Sequence, residues 1–120
     1  MTKIYLIRHA EAEGNLYRRI QGHWDGSITA LGLQQIDALA QRFRHEHIDA
    51  LYCSNLSRAR VTAEAITRYH DVPAVATPRL AEIRMGVWEG RAWGDVEHEF
   101  PEQMRYFNTC LLYTSPSPRD

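Results

Sequence analysis

Side chains that handle phosphate stand directly after three short apolar segments of this sequence. Arg8 and His9 follow the first segment, Arg58 lies shortly after the second, and Glu82 follows the third. A neutral imidazole is a nucleophile through its unprotonated ring nitrogen, and a guanidinium binds phosphate oxygens through a planar fork of donors. Phosphoryl transfer depends on positioning and on stabilising the charge of the transferred group. These residue types therefore predict phosphate binding or phosphoryl transfer.

The three apolar segments are interpreted as buried strands of one sheet. They comprise residues 4–7, residues 49–53 and the pair Val75 and Ala76, and each is too short for a helix. Ligands of an open parallel sheet bind beyond the carboxyl ends of its strands. The predicted strands would therefore bring the imidazole, the guanidinium groups and the carboxylate to one edge.

Helices are predicted between and after the strands. Apolar residues behind the predicted N-cap Thr29 recur at i, i+3, i+4 and i+7, which predicts a helix to about residue 47: Ile36, Leu39, Ala40 and Phe43. A second helix beginning near Ser57 would place Arg58 in a first turn, where the backbone favours an anion. A loop over 85–94, a short helix over 93–100 and another from Pro101 follow. This alternation predicts an α/β fold with a parallel sheet and helices on both faces.

Length and composition predict one ordinary globular domain and exclude two classes of partner. The chain has 120 residues and a formal net charge of −1, so no bulk field attracts nucleic acid or an acidic membrane. Cys53 and Cys110 show neither metal spacing nor a disulfide framework, and no apolar run resembles a signal peptide or a membrane span. We predict a cytoplasmic protein, and its oligomeric state is left open.

No metal ion and no cofactor are predicted. The acidic and imidazole side chains near the N-terminus fit neither a helical i, i+4 pair nor a zinc pattern: His9, Glu11, Glu13, His23 and Asp25. The remaining histidines, among them His98, are interpreted as structural, and Glu89 as a structural hydrogen-bond partner.

The motifs together resemble the histidine phosphatase superfamily, the phosphoglycerate-mutase-like family. The similarity extends in family order over residues 2 to about 108. The matching text is Leu6-Ile7-Arg8-His9-Ala10-Glu11, Asn15, Gln21-Gly22, Thr29, Gly32, Ser54-Asn55-Leu56-Ser57-Arg58-Ala59, Thr62-Ala63, Leu80-Ala81-Glu82, Gly86 and Trp88-Glu89-Gly90.

The resemblance implies a three-layer sandwich with a mainly parallel sheet, and a role for each matching position. His9 would accept the phosphoryl group, and Glu82 would donate a proton to the leaving oxygen. The implied phosphate and substrate ligands are Arg8, Asn15, Gln21, Gly22 and Arg58.

The sequence segment after Glu82 resembles the broad-specificity phosphatase branch of the family. It reads IRMGVWEG over residues 83–90, which is unlike the glycolytic mutases. The predicted function is therefore hydrolysis of small phosphomonoesters through a phosphohistidine. The alternatives are phosphoglycerate mutase-type phosphotransfer and a non-catalytic fragment that binds a phosphorylated ligand.

The C-terminal end departs from the family pattern. The family places a second catalytic histidine and the second half of its sheet beyond this point, so residues 1–109 are interpreted as an incomplete domain. Residues 110–120 contain Ser115-Pro116-Ser117-Pro118 and are interpreted as an irregular, non-family tail, an artefact of sequence assembly. On this interpretation we expect the 120-residue chain to be inactive and poorly folded.

Overall fold

Helices make up most of the described structure, which also contains a short parallel sheet. The computed structural model describes residues 1–82 and 84–114, the last six as backbone only. The elements are α1 (Glu13–Leu16), α2 (Ala30–Phe43), β1 (Leu51–Ser54), α3 (Ser57–Thr67), β2 (Ala74–Thr77), α4 (Trp93–Glu99) and α5 (Pro101–Thr114), with single 3₁₀ turns at Pro78–Leu80 and Gly86–Trp88. None of the helices described is long and apolar enough to cross a membrane.

Strands β1 and β2 run parallel, and α3 is the crossover between them. The register pairs Leu51 with Ala74 and Ser54 with Thr77. Parallel strands need a long connection of this kind, and α3 packs against both of them. The second and third predicted strands are confirmed, and with them the α/β class.

The strand predicted over residues 4–7 is wrong, because this segment is irregular in the structure. Ile4 is 83% exposed and Leu6 is 98% exposed, so the run is not buried either. A strand exists through the hydrogen-bond ladder to a neighbour. In the part of the chain that the structure describes, this segment pairs with no strand, and its β-branched composition alone does not make one.

Helix α2 begins as predicted and ends earlier than predicted. The Thr29 hydroxyl accepts a hydrogen bond from the Gly32 amide at 3.1 Å, which confirms the N-cap. Residues 44–47 are polar and add nothing to the buried face, so the helix ends at Phe43. Ile36 and Ala40 pack with Ala65 of α3 and with Ala10, which anchors the chain next to His9 onto the helix pair.

A second apolar cluster joins the loop after α1 to the C-terminal helices. Ile20, Val96 and Met104 are its buried members, with the aromatic rings of Trp88 and Phe107 against them. The main chain adds a short antiparallel contact, since Ile20 N donates to Arg91 O and Gly90 N donates to Ile20 O. These contacts hold the loop over residues 18–25 beside the loop over residues 85–91.

Helix α5 extends five residues into the segment that the sequence predicts to be irregular. The helix is described as far as Thr114, two residues before Pro116 in the sequence. Residues 115–120 lie outside the described residues, and the domain boundary at residue 109 stays a prediction.

Candidate active site

The imidazole of His9 is held in one tautomer by the residue that follows it. Its Nδ1 lies 2.7 Å from the carbonyl oxygen of Ala10. A carbonyl only accepts hydrogen bonds, so Nδ1 carries the hydrogen and Nε2 carries the lone pair of the neutral ring. This is the orientation that an attack through Nε2 requires.

The surroundings of His9 favour its neutral form. Burial lowers the pKa of His9, and the positive charges of Arg58 and Arg8 lower it further. The hydrogen bond to Ala10 and the charge of Glu82 oppose these effects without cancelling them. The structure thus brings three predicted site residues within electrostatic reach of the imidazole: Arg8, Arg58 and Glu82.

The guanidinium of Arg58 is buried and anchors a loop. Arg58 is 3% exposed, and it donates from Nη2 to Gly22 O at 2.7 Å and from Nη1 to Trp24 O at 2.9 Å. Burial lowers the pKa of Arg58, against the opposing charges of Asp25, Glu82 and Glu89. Arg58 therefore holds the loop over residues 22–24 against the start of α3.

The N-terminus of α3 already holds a carboxylate from the protein. Its N-cap, Leu56, has no capping side chain, and the Ser57 amide donates to Asp25 at 3.0 Å to Oδ1 and 2.8 Å to Oδ2. The sequence predicts that an anion binds at the N-terminus of α3, and in the structure the Asp25 carboxylate lies at the first amide of this helix. The backbone preference for negative charge is thus partly satisfied from within.

Glu89 ties the two loops of the site together. Its Oε1 accepts from the amides of His23 and Met85, each at 2.9 Å. Burial is the largest single effect on the pKa of Glu89 and raises it, but these two hydrogen bonds and the positive charges of His23 and Arg84 together outweigh burial, and the net direction is down. The geometry agrees with the structural role that the sequence predicts for Glu89.

The remaining predicted site residues occupy different settings. The Asn15 Oδ1 accepts from the Ala12 amide at 3.0 Å, which leaves its NH₂ group as the side chain's donor end. Gln21 is buried, and its side chain lies against Gly14 so closely that any Cβ there would overlap it. Gly22 has a positive φ of 49°. Arg8 and Glu82 are exposed.

The sequence does not predict the roles that two residues have in this arrangement. Thr62 belongs only to a motif in the sequence, yet its buried hydroxyl connects Ala10 to Arg58. Its position four residues after Arg58 could have signalled a bond to the helix backbone. For Asp25, no local pattern in the sequence points to Ser57, 32 residues away.

In the described part of the chain, no three side chains of the kinds that ligate metals come together. The site instead combines a half-buried imidazole, one buried and one exposed guanidinium, and one exposed carboxylate. This set can bind a phosphate group and offer it a nitrogen nucleophile.

The sequence matches the profile of the histidine phosphatase superfamily (branch 1) over residues 4–118. It is 36% identical over 105 residues to phosphoserine phosphatase 1 of Hydrogenobacter thermophilus, covering 88% of this chain and 50% of that protein. It is 43% identical over 91 residues to a probable phosphoglycerate mutase, GpmB, of Photorhabdus laumondii, covering 76% of this chain and 42% of that protein.

The fold is similar to that of a solved structure, a putative alpha-ribazole-5'-P phosphatase from Escherichia coli. The TM-score is 0.78 at 30% identity, over 86% of this chain and 52% of that one. The chain thus spans about half the length of the curated relatives it matches.

Proposed function

This chain belongs to the histidine phosphatase superfamily, and from that membership we propose that it supplies the nucleophilic half of a phosphomonoesterase. The observation that carries the proposal is the hydrogen bond from His9 Nδ1 to Ala10 O, which directs the lone pair of the neutral ring to Nε2. Arg8 and Arg58 act on the same imidazole electrostatically. A phosphate group bound between them would meet the nucleophile and two cations together.

The proposed reaction has two steps. In the first, Nε2 of His9 attacks phosphorus, the bond from phosphorus to the ester oxygen breaks, and Glu82 gives the departing oxygen a proton. In the second, a water attacks the phosphohistidine, the N–P bond breaks, and the proton of the water returns to Glu82. Arg8 and Arg58 bind the phosphoryl oxygens throughout.

The other predicted ligands belong to the walls of this site. Asn15 would donate from its NH₂ group to a phosphoryl oxygen, while Gln21 and Gly22 would line the loop beside the substrate. The link from Arg58 to Gly22 O supports the last of these placements, because it joins the loop directly to a proposed phosphate ligand.

We propose small phosphate esters as the substrates, in a cytoplasmic setting. Phosphoserine and alpha-ribazole 5'-phosphate, which the names of two relatives give, are the first compounds to assay. The alternative is phosphoglycerate mutase-type transfer, which the name of the Photorhabdus relative favours. A mutase returns the phosphoryl group to a hydroxyl of the substrate, whereas a phosphatase gives it to water, so release of inorganic phosphate separates the two.

The test needs a protein with a complete family domain. We define the completed protein as a fusion of residues 1–108 of this chain with the second half of the Hydrogenobacter phosphatase. The 120-residue chain is tested beside it. We expect the completed protein to release phosphate from phosphomonoesters and to carry an acid-labile, base-stable phosphoryl group after brief exposure to substrate.

The matched variants are His9→Ala and His45→Ala. His45 is exposed on the polar stretch after α2, so its loss should change neither label nor turnover. His9→Ala should abolish both. Phosphate that binds without any covalent label would instead support a non-catalytic binding fragment, and label that persists in His9→Ala would refute the role of His9.

A further inference from the structure

One buried hydroxyl connects the chain at the proposed nucleophile to the helix that carries the proposed phosphate ligand. The Oγ1 of Thr62 accepts from the Ala10 amide at 2.9 Å and donates to Arg58 O at 2.7 Å. Thr62 is 5% exposed, and both bonds are buried. If a substitution removed this hydroxyl, a water molecule could therefore not readily take its place.

The first of these bonds fixes the backbone that orients the imidazole. Ala10 N is the amide directly after His9, and Ala10 O is the acceptor for Nδ1 of the ring. One polar group of Ala10 is thus held by Thr62 while the other holds His9. A displacement of Ala10 would move the imidazole and its hydrogen-bond acceptor together.

The second bond attaches the same hydroxyl to the turn of α3 from which the guanidinium extends. A threonine that bonds to the carbonyl four residues earlier is common in helices. Here the hydroxyl also accepts from an amide 52 residues away in the sequence. Two segments that are distant along the chain therefore meet at one oxygen atom.

We infer that Thr62 is a positioning residue, which sets the placement of the His9 imidazole relative to the Arg58 guanidinium. Its effect on rate depends on the proposed function, whereas its effect on the imidazole does not. Without the hydroxyl, the buried Ala10 amide loses its partner, and the segment must shift to satisfy it. A residue that only packed α3 would change stability and leave the imidazole where it is.

The experiment compares Thr62→Val with two controls in the 120-residue chain and in the completed protein. Thr62→Ser keeps the hydroxyl. Thr67→Val removes a side-chain bond to a carbonyl from the same helix, at a position with no link to Ala10. The readouts are the NMR titration of His9 and the rate of its phosphorylation by saturating phosphoramidate.

We expect Thr62→Val to lower the phosphorylation rate about tenfold or more, which corresponds to one unsatisfied buried donor. The titration midpoint of His9 should rise towards that of a solvated histidine, because the ring moves out of its buried setting. Thr62→Ser and Thr67→Val should remain within about threefold of the unchanged protein.

Several outcomes would decide against the inference. An unchanged His9 titration in Thr62→Val, with only a lower melting temperature, would make Thr62 a packing residue. If that variant does not fold, amide exchange in the unchanged protein decides, because an unprotected Ala10 amide would mean that the bond is absent. Failure of the unchanged completed protein to phosphorylate His9 would refute the proposed function, while the titration would still test Thr62.

Discussion

Replacing Arg58 by lysine should lower the free energy of unfolding although the positive charge is retained. The guanidinium reaches Gly22 O and Trp24 O from two different nitrogens, 2.7 Å and 2.9 Å away. A lysine ammonium is a single point on a flexible stem and can hold one of these carbonyls in the same geometry, not both. A hydrogen bond from a charged donor contributes about 1.5–3 kcal/mol, so we expect a loss of about that size.

Arg60→Lys is the matched control, because Arg60 lies on the same helix and is exposed. An exposed substitution of this kind should stay within about 0.5 kcal/mol. Urea unfolding of the completed protein, followed by tryptophan fluorescence, measures the difference. With a slope of about 1–3 kcal/mol per molar urea, the two midpoints should differ by roughly 1 M.

Phosphate release by the completed protein should fall together with stability in Arg58→Lys, because Arg58 is also a proposed phosphate ligand. Equal unfolding free energies for Arg58→Lys and Arg60→Lys would refute the anchoring role. Equal turnover, with stability lost as expected, would leave Arg58 as an anchor of the loop and remove it from the reaction.

Further predictions concern the proton donor, the pH profile and the packing of α2. Glu82→Gln should slow hydrolysis of alkyl phosphates and spare p-nitrophenyl phosphate, whose leaving group needs little protonation; equal losses on both would contradict this. Because the pKa of His9 is lowered by burial and by nearby cations, the unfolded chain takes up a proton first as pH falls below about 6.5. The melting temperature should therefore be lower at pH 5 than at pH 7. The difference should be smaller in His9→Ala, which thermal melts at the two pH values would show. Gly32→Ala should destabilise by about 1–3 kcal/mol, since a Cβ would overlap the Glu11 carbonyl. Gly94→Ala, which meets open space in α4, should not destabilise.

Local sequence patterns were sufficient to predict elements such as α2 and β2. The apolar spacing behind Thr29 and the capping preference of threonine predicted α2, and the apolar pair Val75 and Ala76 before Pro78 predicted β2. Residues 4–7 have the same composition as a strand, but strand formation needs a partner, which local sequence does not contain. The end of α2 was misplaced by four residues because polar helix formers continue past its last apolar contact.

The sequence predicts the residues of the candidate site, and the structure adds the contacts between them and their neighbours. His9, Arg58 and Glu82 are predicted from their places after predicted strands, and the structure brings the charges of Arg58 and Glu82 within electrostatic reach of the His9 imidazole. The sequence could not show that Asp25 accepts from the Ser57 amide, or that Glu89 accepts from the His23 amide, because these partners are 32 and 66 residues apart in the sequence and meet only through tertiary packing. The acceptor for His9 Nδ1 also needed the structure, although it turned out to be the next residue.

The role of His9 Nε2 as the nucleophile is tested most directly by identifying which atom of the protein carries the phosphoryl group. The completed protein, with ¹⁵N-labelled histidine, is phosphorylated briefly and examined by ³¹P and ¹H–¹⁵N NMR. Because Nδ1 donates to Ala10 O, we expect a single phosphohistidine, at His9, with phosphorus bonded to Nε2. Phosphorus on Nδ1 of His9, or on any other residue, would contradict it.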